Sequence, residues 1–220
     1  TIPNAKELSS WIGAIKGHLV DTVINDHRVV PLEHKFFDVE LGITSIQEIE
    51  RSCRNPNANY VFERGRKKKA RIPSPSHVDL IADLKENLPC LYFIFSRDGT
   101  ENKAFELFKR NPFPFSKEIA VIMADELSRA PPEINRIETT KLLRQMLPRQ
   151  IAFHHAGLLP ALKNLVEDLF GKGLIKALFA TETFAVGINM PAKTVCFDSL
   201  RKYDGISHRY LNTKEYLSRH

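Results

Sequence analysis

No apolar run in this sequence comes near the roughly 18 consecutive residues that a membrane-spanning helix needs. Its first residues, TIPNAKELSS, have neither a charged opening nor an apolar stretch of the kind that directs secretion. No membrane partner is expected. Cysteine is scarce: Cys53, Cys90 and Cys196 are three in number, far apart and without the paired spacing of metal ligands. Neither a disulfide framework nor a metal site is therefore expected, and the compartment implied is reducing and intracellular, cytoplasm or nucleus. The chain starts at Thr1 without an initiator Met, which reads as a segment excised from a longer chain. Also missing are a Gly-x-x-x-x-Gly-Lys-Ser/Thr phosphate loop and an Asp-Glu-x-His box, so these residues hold no complete nucleotide-hydrolysing site of their own.

What is present suits a globular α/β chain. Hydrophobic residues make up 43% and charged residues 26% of the 220, enough for one sizeable core plus the ragged end of another domain. The formal charge of +6 is unevenly placed. Residues 51–71 contain Arg51, Arg54, Arg64, Arg66, Lys67, Lys68, Lys69 and Arg71 against Glu63 alone, a net +7 that leaves the rest of the chain at −1. Such a run is most often a solvated or disordered loop. Its functional readings are a salt-sensitive, nonspecific clamp on phosphates or a localisation signal.

Periodicity places the elements. Leu8, Trp11, Ile12 and Ile15 predict an amphipathic helix within residues 1–16, and Val29, Val30, Leu32, Phe36 and Phe37 predict one or two strands, with Pro31 arguing for an edge. Residues 43–52 are weakly helical, and 55–76 irregular. A helix pattern over 77–88 is broken by Pro89. The run 90–95 (CLYFIF) then predicts a buried strand with Ser96, Arg97 and Asp98 at its carboxyl end, and helical spacing resumes over 102–109. An apolar helix within 111–133 and an amphipathic one over 137–146 follow. IAFHH, at 151–155, predicts a short strand leading into a helix over 160–172. His154 and His155 alternate across that strand, which sets them on opposite faces and rules out a metal shared between them. His27 and His34 lack any set of further ligands and read as surface or packing histidines. Asn212 or Thr213 is expected to cap a last short helix.

The most informative stretch is 176–197, KALFATETFAVGINMPAKTVCF. ALFA and TVCF are apolar or β-branched runs of the kind that fill strands buried on both faces. Between them stand Thr181, Glu182, Thr183, Gly187, Asn189 and Pro191. Threonine hydroxyls and nearby backbone N–H groups at the carboxyl end of a parallel strand suit anionic oxygens. Gly187 permits close approach of a ligand to backbone, Asn189 offers a donor and an acceptor to a sugar, and Pro191 keeps the segment from becoming helix.

ATETFAVGINMPAKTV resembles motif V of the Ski2-like superfamily 2 helicases, in the wording of the RNA-directed Ski2/Mtr4 branch. LYFIFSR resembles motif IV of the same family, FHHAGLLP its motif IVa, RVVPLEH the connector into its second RecA-like domain, and LNTKEYL the lead-in to motif VI. Thr1 is compatible with the last residue of a Ser-Ala-Thr motif III. The family's glutamine and Gly-Arg-Ala-Gly-Arg would follow LNTKEYL, whereas this sequence reads Ser218, Arg219, His220. The arginine finger is then not among these residues.

The resemblance implies a RecA-like parallel sheet with helices on both faces. Residues 1–26 would be the tail of a preceding RecA-like domain and 27–220 the second, with a basic loop at 51–76. It implies an ATP-dependent RNA helicase, a hydrolase that needs ATP and Mg²⁺, with the Mg²⁺ ligands outside this segment. Gly187 and Asn189 would then face the nucleotide. Ser96, Arg97, His155, Gly157, Thr181 and Thr183 would hold the nucleic-acid backbone. The partners implied are RNA, the preceding RecA-like domain and an RNA-decay complex. Two other readings stay open: a noncatalytic RecA-like RNA-binding scaffold, and a DNA-directed repair helicase of the same family.

Overall fold

The computed structural model describes residues 4–23, 32–52, 60–63, 66–69, 75–185, 191–203, 205–212 and 215–216, with backbone alone for 60–63, 66–69, 183 and 185. The chain divides into two compact units, Thr1–His34 with Leu211–His220, and Lys35–Tyr210.

In the smaller unit, helix α1 (Ala5–Lys16) ends where Gly17 turns left-handed at φ 70° and returns its N–H to the Gly13 carbonyl, as an achiral residue does readily. Asn212 caps the residues after it reciprocally. Glu215 N–H donates to Asn212 Oδ1 at 2.8 Å and Asn212 N–H to Glu215 Oε2 at 3.0 Å. His34 stacks on Tyr216, with Nδ1 and the phenol oxygen 2.9 Å apart.

The larger unit begins with a hairpin, β1 (Phe36–Asp38) and β2 (Gly42–Thr44), and helix α2 (Ile46–Ser52). Residues 43–45, expected to be helical, pair or turn instead, because Ser45 and Glu48 form a capping box that fixes the helix start at Ile46. Part of the basic run is paired backbone: β3 (Tyr60–Glu63) lies antiparallel to β4 (Arg66–Lys69).

The core sheet follows. Helix α3 (His77–Leu84) precedes strand β5 (Cys90–Phe93), which feeds helix α4 (Arg97–Arg110). Helices α5 (Lys117–Arg129) and α6 (Glu138–Met146) intervene before strand β6 (Ile151–His154) and helix α7 (Pro160–Gly171). Strands β7 (Ala177–Ala180) and β8 (Thr194–Phe197) complete four parallel strands in the order β6-β7-β5-β8. A second hairpin, β9 (Arg201–Tyr203) and β10 (His208–Tyr210), follows.

Every residue of β5, β6 and β7 is buried, while β8 is half-exposed along the sheet edge. That explains their unbroken apolar wording: with helices on both faces no position in a strand meets water. Helix α7 shows the matching stripe, burying Leu162, Leu165, Val166, Leu169 and Phe170 at the spacing of one helical face. Phe93, Phe153, Phe170 and Phe179 are among the largest fully buried side chains, each stabilising the fold by roughly 1.5–3 kcal/mol relative to exposure. The result is the expected α/β, RecA-like arrangement.

Candidate functional site

Because the four strands run parallel, the residues that follow them gather at one carboxyl edge, where open α/β sheets place ligands. After β5 the chain turns at Ser96, whose extended backbone and hydroxyl cap α4. Its Oγ accepts from Gly99 N–H at 3.2 Å and its carbonyl from Thr100 N–H at 3.1 Å. The cap starts the helix at Arg97, earlier than periodicity alone indicates, and brings the α4 N-terminus to the sheet edge. Gly99 is needed for this turn: a Cβ there would lie 2.9 Å from Ile94 Cγ2. Ser96, Arg97 and Asp98 are exposed. Among the described residues the Arg97 guanidinium has no ion pair or hydrogen bond, and Asp98 is not its partner.

His155 explains why Glu101 is not its partner either. Gly157 N–H donates to His155 Nδ1 at 3.1 Å, so the ring proton sits on Nε2, which donates to Glu101 Oε1 at 2.8 Å. The ring is 3% exposed and stacked on Phe153 at an interplanar angle of 8°. The loop after β6 is thereby fastened to α4, with Gly157 close enough to Arg97 that a Cβ would meet the Arg97 Cδ at 3.9 Å. His154 faces the other way, as the alternation predicts. Its Nε2 is 2.8 Å from Glu167 Oε1 on α7, and its Nδ1 is buried without a hydrogen-bond partner among the described residues. Burial lowers the His154 pKa from 6.5, against the opposing pull of Glu167.

After β7, Thr181 N–H donates to the His154 carbonyl at 3.1 Å and Thr181 C=O accepts from Phe184 N–H. A short 3-10 turn, Glu182–Ala185, carries Thr183. Phe184 is 2% exposed and packs edge-on against the His154 ring, centroids 4.5 Å apart. Glu182 pairs with Lys202 of β9 at 3.0 Å. Gly187 and Asn189 lie outside the described residues.

Beside this edge, Asp198 follows β8. It accepts from the Tyr92 hydroxyl at 3.1 Å and pairs with Lys103 of α4 at 2.9 Å. His77 Nε2 reaches the Lys103 carbonyl at 3.0 Å, and burial lowers its pKa from 6.5. These contacts clamp α4 over the sheet.

The structure therefore brings Ser96, Arg97, His155, Gly157 and Thr181 to one edge. Sequence reasoning missed the β9–β10 hairpin beside them. Arg201, Tyr203, His208 and Tyr210 face outward and exposed, with the Arg201 guanidinium 5.3 Å from the Tyr210 ring centre, while Lys202 and Arg209 are half-buried. The available signal was the alternation RKY and HRY around Gly205, a turn residue at φ 101°. Among the described residues no group of three His, Cys, Asp or Glu could hold a metal ion.

No family model matches the chain. Curated relatives do. It is 33% identical to mRNA transport homolog 4 of Caenorhabditis elegans, 33% identical to the human Superkiller complex protein 2 and 34% identical to the DExH-box ATP-dependent RNA helicase DExH10 of Arabidopsis thaliana, each match covering 99% of the chain. The chain belongs to the Ski2-like helicase family. It spans 20–24% of the length of these relatives and corresponds to the second RecA-like domain. The polar carboxyl edge is thus built from the segments that resemble Ski2-like motifs IV, IVa and V.

Proposed function

We propose that this chain is the second motor domain of an ATP-dependent, Ski2-like RNA helicase. The observation that carries the reading is Arg97: an exposed cation at a helix N-terminus, with the Glu101 carboxylate one turn on bound to His155, at the edge where the three motif-bearing segments meet. A guanidinium so placed suits a phosphate, which it can grip through two parallel N–H donors.

In this reading Ser96, Arg97, Thr181 and Thr183 contact the RNA backbone. Gly157 presents the loop after β6, and His155 acts by holding that loop in place. The outward face of β9–β10, with tyrosines beside arginine and histidine, offers stacking to unpaired bases. Backbone contacts carry no base identity, so binding tolerates any sequence. Gly187 and Asn189 border the ATP. A preceding RecA-like domain of the same protein supplies the phosphate loop and the residues that hold Mg²⁺, and hydrolysis of ATP between the domains drives closure and opening on the strand. The names of its relatives, Exosome RNA helicase MTR4 and Superkiller complex protein 2, support RNA decay as the setting and an intracellular location.

The test is ATP turnover and strand displacement by the complete protein on RNA and DNA duplexes with single-stranded overhangs. RNA-stimulated turnover with displacement of RNA supports the proposal. Displacement of DNA alone would favour a repair helicase, and binding without turnover a scaffold. The 220 residues alone should hydrolyse no ATP.

A further inference from the structure

The pairing of β3 with β4 sorts the basic run into two unlike faces. Its register sets Tyr60 opposite Lys69, Val61 opposite Lys68, Phe62 opposite Lys67 and Glu63 opposite Arg66. Residues directly opposite one another share a face, and successive residues of a strand alternate between faces. Tyr60, Phe62, Lys67 and Lys69 therefore occupy one face, each aromatic residue set against a lysine, with no acid beside them in the two strands. The other face holds the one carboxylate of these strands, Glu63, opposite Arg66. In sequence the run is an undivided block of charge; the register gathers its uncompensated cations where the aromatic residues are. Among the described residues β3–β4 is also a sheet of its own, paired with neither the core sheet nor the other hairpins. A two-stranded hairpin is marginal in water until something packs on it.

We propose that the face carrying Tyr60, Phe62, Lys67 and Lys69 binds single-stranded RNA, as a contact separate in sequence from the three motif-bearing segments. The lysines meet phosphates and the aromatic residues meet bases, the combination by which sequence-tolerant single-strand binders work. Charge complementarity selects a polyanion, and the aromatic residues select one that carries bases. A bare polyphosphate or an acidic peptide needs the lysines alone. Neighbouring positions on one face of a strand lie roughly 6.8 Å apart, two rises of about 3.4 Å, so adjacent nucleotides of one strand can engage both Tyr60 and Phe62. The choice of RNA rests on the helicase reading above, whereas the face itself does not.

The experiment measures binding of the complete protein, without ATP, to a labelled mixed-sequence single-stranded RNA over a salt series, alongside thermal unfolding. It compares Tyr60→Leu/Phe62→Leu, Lys67→Ala/Lys69→Ala and Arg66→Ala/Lys68→Ala. The aromatic pair should weaken binding roughly fivefold or more for each ring removed and leave the salt slope as it was, and Tyr60→Phe should keep the affinity of the parent. Lys67→Ala/Lys69→Ala should make the slope shallower by about 1.4, two cations at about 0.7 each. Arg66→Ala/Lys68→Ala removes the same charge from the opposite face and should change the slope less. Affinity for inorganic polyphosphate should fall with the lysine pair and not with the aromatic pair. Equal slope changes for the two cation pairs would reduce the face to diffuse charge, and parental RNA affinity in the aromatic variant would reduce it to a polyanion contact; either overturns the inference. So does a loss confined to single-stranded DNA, or one that follows the melting temperature. Unaltered RNA binding in all three variants sinks this face while strand displacement by the parent still decides the helicase reading.

Discussion

Glu101 accepts a hydrogen bond from His155 at 2.8 Å, and that bond removes the carboxylate lying one helical turn beyond Arg97. An arginine and a glutamate four residues apart on a helix would ordinarily meet. Here the second is drawn to a buried ring on the neighbouring loop and the first is left exposed. One hydrogen bond both closes the loop after β6 and keeps the Arg97 guanidinium available.

Replacing Arg97 with Ala should weaken binding of the complete protein to single-stranded RNA of every sequence alike. Removing a single phosphate-binding cation should make the slope of log affinity against log salt shallower by about 0.7. Fluorescence anisotropy over a salt series measures both. An unchanged slope would show that Arg97 does not meet a phosphate.

Glu101→Ala should destabilise the domain by about 1–3 kcal/mol, because it leaves the His155 Nε2–H buried without an acceptor. Glu101→Gln keeps an acceptor oxygen and should lose less. Urea unfolding of the two variants decides it, and equal stability of Glu101→Ala and the parent would contradict the hydrogen bond.

Acid should destabilise the fold through His77 and His154. Burial lowers both pKa values from 6.5, so the unfolded chain binds these protons more readily than the folded one. The Lys103 and Lys163 charges act in the same sense, while Glu106, Asp198 and Glu167 oppose. The stability from keeping the rings neutral is full above 6.5 and is lost as pH falls through the lower folded values. Melting temperature should therefore drop as pH falls below about 6.5, and a His77→Gln/His154→Gln variant should drop less. A parallel decline in both proteins would refute the assignment.

Cys90 and Cys196 should resist thiol reagents in the native protein. Burial pushes the Cys196 thiol up to about 12 and raises that of Cys90 as well, so the reactive thiolate is scarce and shielded. In a Cys53→Ser background, labelling at about pH 8 should begin only as the protein unfolds. Rapid labelling under native conditions would mean that β5 and β8 open readily.

Strands β5 to β8 and helix α7 were legible because their wording follows from burial: continuous apolar runs for strands covered on both faces, and a 3.6-residue stripe for the helix. The opposite orientation of His154 and His155 was legible too, since alternation is a property of any extended chain. The start of α4 was not, because Arg97, Asp98 and Gly99 carry no apolar signal and the Ser96 cap alone decides it. The β9–β10 hairpin stayed hidden for a related reason: two strands of three residues with mostly polar outward faces look like a connector.

By itself the sequence determined the α/β class, the family, and the three segments whose ends supply the candidate site, because each is written in contiguous residues. The tertiary structure decided which partners those residues take. Glu101 with His155, Glu182 with Lys202 and Asp198 with Lys103 each join elements distant along the chain. A side chain's partner depends on which elements the packed core brings within hydrogen-bond reach, and no local pattern encodes that distance.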